Sequence, residues 1–304
     1  MTAPTTPATG RTNRWAENPH ELNSSQKLMV FVLSMTLFGL ANILTEVLPE
    51  FTVGPVELSV SYLAFVPVVM VVLFHPLYAA LGAPLGEIVF VDLLMGNFSG
   101  IGELEGFIQL SLGLYIAGSL VRDPRVRWQV AMAAMVAVGI DKGVGGVVDM
   151  LKVVLGVEDL EAVDGLPESI LAIEGVAFLS DFVISGIILG AIPAAYLAPR
   201  LYGKIEPLLG LAPRDPAVPI PGRARQTGAF VGLATVLFIA SGGFAFLEYA
   251  DIELGVWEPD FIDRYGQGFL WVGVAACVVV LAAAVMLIAR RGDSAGRGSS
   301  TRGA

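Results

Sequence analysis

The chain of 304 residues is 55% hydrophobic and only 15% charged, with a mean hydropathy of +0.73 and 35 glycines. Soluble domains carry about 25% charged residues, so an ordinary soluble enzyme and a disordered chain are both excluded. The net charge of −10, with no basic stripe to neutralise phosphates, excludes a nucleic-acid partner.

Residues 1–26 are rich in Thr, Pro, Asn and Ser and read as a disordered cytoplasmic tail. The apolar run that follows lacks a small-residue cleavage site and reads as an anchor, not a removed signal peptide. Further runs approach the ~20 residues a helix needs to cross a bilayer. The sequence predicts eight spans, at about 28–48, 58–74, 77–95, 104–121, 128–155, 170–198, 228–247 and 268–289. The second and third are divided at Phe74-His75-Pro76, because proline disfavours a helical residue before it. The expected fold is an all-α, polytopic membrane helical bundle of eight transmembrane helices with both termini cytoplasmic. It comprises a six-helix core (27–200), a Pro-rich cytoplasmic linker (201–227), a C-terminal hairpin (228–289) and a disordered basic tail (290–304).

Charge placement supports that order. With the N-terminus inside, 15 of the 18 cations fall on cytoplasmic segments, as the positive-inside bias requires. The outer connections hold Arg264 as their only cation and collect acids such as Glu50, Glu103, Glu158 and Asp251.

Ionisable residues inside spans cost ~2.5–3.5 kcal/mol or more each on insertion scales, so each calls for a partner, a cavity or a job. The third span carries Glu87 and Asp92, the fifth Asp141, Lys142, Asp149 and Lys152, and the sixth Glu174 and Asp181. Glu174 and Asp181 are seven residues apart and share a helix face, with Ser185 four further on; Lys142 and Asp149 share another. On the sixth span Gly186, Gly190 and Ala194 form a small-residue stripe on the opposite side. One face packs and the other is polar, the pattern of a helix lining a cavity. The expectation is an outward-opening polar pocket for a small solute; the alternative for each residue is a structural ion pair or a headgroup contact. Ala79/Ala83, Gly82/Gly86, Gly139/Gly143 and Gly228/Gly232 mark close helix packing. Tyr62, Trp128, Tyr202, Tyr249 and Trp271 read as interfacial anchors, with stacking on a solute ring as the alternative for Tyr62 and Phe65.

Catalytic and cofactor signatures are lacking. Cys277 is the only cysteine, His20 and His75 lack metal-ligand spacing, and Gly139-Ile140-Asp141-Lys142-Gly143 lacks the loop and the hydroxyl residue of a nucleotide-binding motif. No cofactor, metal or enzymatic activity is expected.

Leu58-Ser59-Val60-Ser61-Tyr62-Leu63-Ala64-Phe65-Val66-Pro67, followed by Pro76-Leu77-Tyr78-Ala79-Ala80-Leu81-Gly82-Ala83-Pro84-Leu85-Gly86-Glu87, resembles the substrate-binding (S) components of energy-coupling factor (ECF) vitamin transporters. In that family a short second helix leads through a turn into a third helix with a small-residue run ending in Gly and an acid; Gly86-Glu87 takes that place. The resemblance covers about 28–200. The first span has Ser34, Gly39 and Ala41 where the family often bears an Ala-xxx-Ala docking stripe, and the hairpin after 227 is an addition. The resemblance implies capture of a vitamin or other micronutrient from the outer side of the plasma membrane. A separate transmembrane coupling subunit and an ATPase pair would power its import. Gln109 and the loop residue Glu50 join Asp149, Lys152, Glu174 and Asp181 in the region it implicates. The candidate substrate-binding set is therefore Glu50, Glu87, Asp92, Gln109, Asp141, Lys142, Asp149, Lys152, Glu174 and Asp181. The competing expectation is an ion-coupled secondary transporter acting alone, with Glu87, Asp141 and Asp181 relaying protons or sodium.

Overall fold

The structure, a computed structural model, describes residues 22–45, 51–53, 56–58, 60–156, 169–220, 227–249 and 255–297. The tail before Leu22, Glu50 and most of the long acidic loop before the sixth span lie outside the described residues.

Helix α1 (Ser24–Thr45) begins ahead of the expected boundary because Asn23 and Gln26 cap it reciprocally. Gln26 N donates to Asn23 Oδ1 at 2.9 Å and Asn23 N donates to Gln26 Oε1 at 3.0 Å, satisfying two amides that the helix cannot. A short antiparallel hairpin follows, β1 (Phe51–Val53) with β2 (Val56–Leu58). The second expected span departs from its prediction. Residues 60–63 are not helical, and α2 (Phe65–Leu73) has nine residues, only ~13 Å of helix. Its residues Pro67 to Leu73 are all buried. An apolar sequence of this kind suits protein surroundings on every side as well as it suits lipid.

The break at Phe74-His75 falls where proline demands it, and α3 (Pro76–Glu87) starts with Pro76 in its first turn. At Ile88 the winding widens into a π-helix through Leu93. Next come α4 (Glu103–Leu120) and α5 (Arg127–Val154). Helix α6 (Ile170–Asp181) runs without interruption through a second π-helical stretch (Phe182–Ala191) into α7 (Ile192–Leu201). The C-terminal part comprises α8 (Thr227–Tyr249), a short α9 (Phe261–Tyr265) and α10 (Leu270–Arg297). Helix α10 stays helical to Arg297, past the expected end of the hairpin at 289; Ala289-Arg290-Arg291 are good helix formers that prolong it.

Among the described residues, six helical segments are long and apolar enough to cross a membrane: Ser24–Thr45, Pro76–Leu93, Arg127–Val154, Ile170–Leu201, Gly228–Leu247 and Gln267–Met286. The protein is a helical membrane protein. Helix α2 falls outside this set by length and α4 by the acids and glutamine in its first half.

Close approach of α1 and α3 follows from their small residues. A Cβ on Gly82 would stand 2.3 Å from Phe31 O, and one on Gly86 only 2.0 Å from Met35 O. Ser34 Oγ donates to Ala79 O at 2.8 Å in the same interface. Ser34 and Gly39 thus face α3 inside the bundle. Gly139 and Gly143 receive the rings of Phe182 and Phe178, whereas Gly228 and Gly232 meet nothing within 4 Å and mark no helix contact.

The C-terminal hairpin packs against the six-helix part of the chain. Helix α8 packs on α4, and α10 packs on α1 with Leu270 and Cys277 buried against Ile43, Phe90 and Met95. Its loop is tied down by paired backbone bonds between Phe98 and Trp257, at 3.0 and 2.8 Å.

The expected linker is likewise fastened. Arg214 is 3% exposed and lies under the C-terminal ends of α2 and α4. Its Nη1 donates to Gly118 O at 3.0 Å and Val121 O at 2.8 Å, and its Nη2 to Val71 O at 3.0 Å. A cation suits this place because helix C-termini present unpaired carbonyls and partial negative charge. Burial lowers the Arg214 pKa to about 10, which leaves it charged at neutral pH. Tyr202 donates its hydroxyl to Arg214 O at 2.5 Å and holds the strap from the other side.

Candidate functional site

At the other end of α4, four helices and the segment before α2 enclose a cavity of about 370 Å³. Helical spacing puts its lining on one face of each rod. Glu103, Gly106, Phe107 and Leu110 come from α4; Asp141, Lys142, Gly145 and Asp149 from α5; and Glu174, Ala177, Phe178 and Asp181 from α6. Helix α3 contributes Pro84 and Glu87. Both Glu87 and Asp181 are the last α-helical residue before a π-helical stretch. Such insertions are rare and gather at functional sites.

The non-helical segment supplies Ser61 and Tyr62. Ser61 Oγ donates to Asp181 Oδ1 at 2.5 Å, and Tyr62 OH donates to Asp141 Oδ2 at 3.0 Å. Lys142 Nζ lies 4.0 Å from the same Asp141 oxygen and 5.5 Å from the Tyr62 ring centroid. Irregular backbone among membrane helices is tolerated where it is buried in protein or lines a cavity, and this stretch does both. On α5, small residues leave room: a Cβ on Gly145 would stand 3.3 Å from Gln109 Oε1, and one on Gly146 3.5 Å from Glu174 Oε2. Among the described residues six carboxylates and one lysine line the hollow.

Seven of the ten candidate residues share this wall: Glu87, Gln109, Asp141, Lys142, Asp149, Glu174 and Asp181. Two do not. Asp92 sits in the π-helical stretch beyond Glu87, where its backbone carbonyl accepts from Gly96 N and Asn97 N to end the helix. Lys152 lies one turn beyond Asp149 and pairs with it at 2.7 Å from outside the lining. Glu50 is outside the described residues. Ser185, expected on the Asp181 face, is fully buried one turn beyond Asp181 and is not part of the lining. Its neighbours Gly186 and Gly190 pack against Val138 and Ala64, as the stripe implied.

Three lining residues carried other expectations. Glu103 was assigned to an outer loop, although its spacing to Phe107 and Leu110 marks a common face. Ser61 carried no signal. Tyr62 was expected chiefly as an interfacial anchor but is 3% exposed, its ring edge-on to Phe38 at 5.6 Å.

Among the described residues no group of three or more His, Cys, Asp or Glu side chains could hold a metal ion. The wall presents hydrogen-bond acceptors, one ammonium and the rings of Phe107, Phe178 and Tyr62.

Fold and site together define a multi-pass membrane protein with an acidic internal cavity. Residues 29–297 match a family of unknown function, DUF8171, and the chain belongs to that family. No curated protein and no solved structure matches it.

Proposed function

We propose that the chain is the substrate-capture subunit of an ECF-type importer, binding a vitamin or other small micronutrient from the outer side of the plasma membrane. Transport is then powered by a separate transmembrane coupling subunit and an ATPase pair. The observation that carries this reading is the cavity. Its volume falls in the ~300–1,000 Å³ range of small-molecule sites. Six carboxylates around one hollow among membrane helices are too costly to retain without a task.

In this reading the chain has eight transmembrane segments with both ends in the cytoplasm. Helix α4 is one of the additional two. The other joins the non-helical stretch before Phe65 to α2. The positive-inside bias sets the Arg122, Arg125, Arg127 and Arg214 end in the cytoplasm and opens the cavity outward. The resemblance of residues 58–87 to S components is the second support.

The test is mass spectrometry of small molecules retained by the gently purified full chain. Wild type is expected to release a stoichiometric solute that the D141N/D181N double variant lacks, and to co-purify with a coupling subunit and ATPases. A chain that retains nothing, or one that alone drives uptake into liposomes on a proton or sodium gradient, overturns the capture-subunit reading. The latter result would establish the ion-coupled carrier in its place.

A further inference from the structure

Among the described residues Gln109 is the only amide side chain lining the cavity, and one of its two hydrogen-bond partners comes from outside the first six spans. It is 6% exposed. Its Nε2 donates to Glu105 Oε1 at 2.7 Å and to Ser241 Oγ at 3.0 Å. The Glu105 carboxylate can only accept, so the nitrogen must lie on that side, and both amide hydrogens are used. That leaves Oε1, which is turned toward Gly145 and accepts no hydrogen bond from the described residues. Ser241, fully buried in α8, takes the second amide hydrogen, so the C-terminal hairpin joins Glu105 in holding the NH₂ away from the hollow.

The rest of the wall has the same polarity. The hydroxyls of Ser61 and Tyr62 give their hydrogens to Asp181 and Asp141 and turn lone pairs elsewhere. The one lining cation, Lys142, sits beside Asp141. An anion or an acceptor-rich neutral solute entering here would meet lone pairs and carboxylates. A solute rich in N–H groups and carrying positive charge would satisfy them.

We propose that the cavity takes an organic cation with several N–H donors, an amidinium, guanidinium or ammonium compound, and that Ser241 holds the Gln109 carbonyl as one of its acceptors. This rests on the capture reading above and names its substrate class; Ser241 acts in it as a positioning residue.

Benzamidine, benzamide and benzoate have one shape and three charge and donor patterns, so isothermal titration of the full chain in detergent with each separates the cases. Benzamidine is expected to bind at least about tenfold more tightly than benzamide, with benzoate undetectable. Gln109→Leu should weaken benzamidine about tenfold. Ser241→Ala removes one of the two acceptors that hold the NH₂, loosens the amide's orientation and should narrow the benzamidine-to-benzamide ratio, while Ser241→Thr, which keeps the hydroxyl, should restore it. A purely structural defect would weaken both ligands alike, and melting temperatures of the two variants report the fold. Tighter binding of benzamide or benzoate overturns the cation assignment and leaves solute capture standing. Binding of none of the three also overturns it, and capture then depends on whether the gently purified protein retains a solute. A ratio unchanged in Ser241→Ala overturns the role of the hairpin.

Discussion

The two ends of α4 treat buried polar groups in opposite ways. At the Gly118–Val121 end, one guanidinium from the connecting strap meets three backbone carbonyls at 2.8 to 3.0 Å, with its Nε left over. At the Glu103–Leu110 end, six carboxylates and an amide carbonyl surround about 370 Å³ of space with one lysine among them. In both places a non-helical segment brings the polar contact, Arg214 in one and Ser61-Tyr62 in the other. A cation seated on helix carbonyls in a filled space holds helices together. Acceptors gathered around a hollow are, in the capture reading, where a ligand would bind.

If that contrast is right, substitutions at one end should change stability and those at the other should change capture. The largest effect is expected from Arg214→Met, which strands three buried carbonyls. It should cost about 3–5 kcal/mol, read as a drop in melting temperature in detergent, with solute retention per folded molecule unchanged. Loss of retention at full stability would break the comparison.

His75, at the same end, gives a pH test. Burial, with Arg214 and Lys27 nearby, lowers its pKa from 6.5 to about 4. On acidification the unfolded chain therefore takes up this proton first. The contribution of neutral His75 is intact above pH 6.5 and is lost as pH falls toward 4, amounting to at most about 3 kcal/mol. In thermal melts across that window wild type should lose stability relative to His75→Leu as pH falls; parallel curves would contradict the assignment.

Gly86→Ala places a methyl group 2.0 Å from Met35 O and must push α1 from α3. A loss of about 1–3 kcal/mol is expected from such overpacking. The smallest effect on stability, and the sharpest test of the contrast, comes from Gly146→Ala. Its Cβ meets Glu174 Oε2 at an ordinary 3.5 Å, so helix propensity should dominate and stabilise the fold by up to about 1 kcal/mol. The same methyl projects toward the cavity wall, so retention of the solute should fall. A variant that is both more stable and fully competent would show that this wall is not where the solute lies.

Much of this arrangement was legible in residue spacing. Glu174 with Asp181 and Lys142 with Asp149 were assigned to shared faces because each pair lies on a regularly wound helix, and both pairs border the hollow. The proline break before α3 was legible for a local steric reason. Ser185 lies outside the lining because angular spacing gives a side chain's direction and not how deep the hollow reaches along the helix. Helix α2 was read as a full span because a buried helix and a lipid-facing one share the same apolar composition.

By itself, the sequence determined that the chain lives in a membrane, where its polar helix faces lie and which segments pack closely. These follow from hydropathy, angular periodicity and side-chain size, all of them properties of short stretches. Tertiary structure alone decided that Ser241 orients Gln109 across 132 positions and that Arg214 closes the far end of the bundle by reaching Val71 across 143. No local pattern encodes such pairs, because they exist only once separate helices have packed and left particular donors facing particular acceptors.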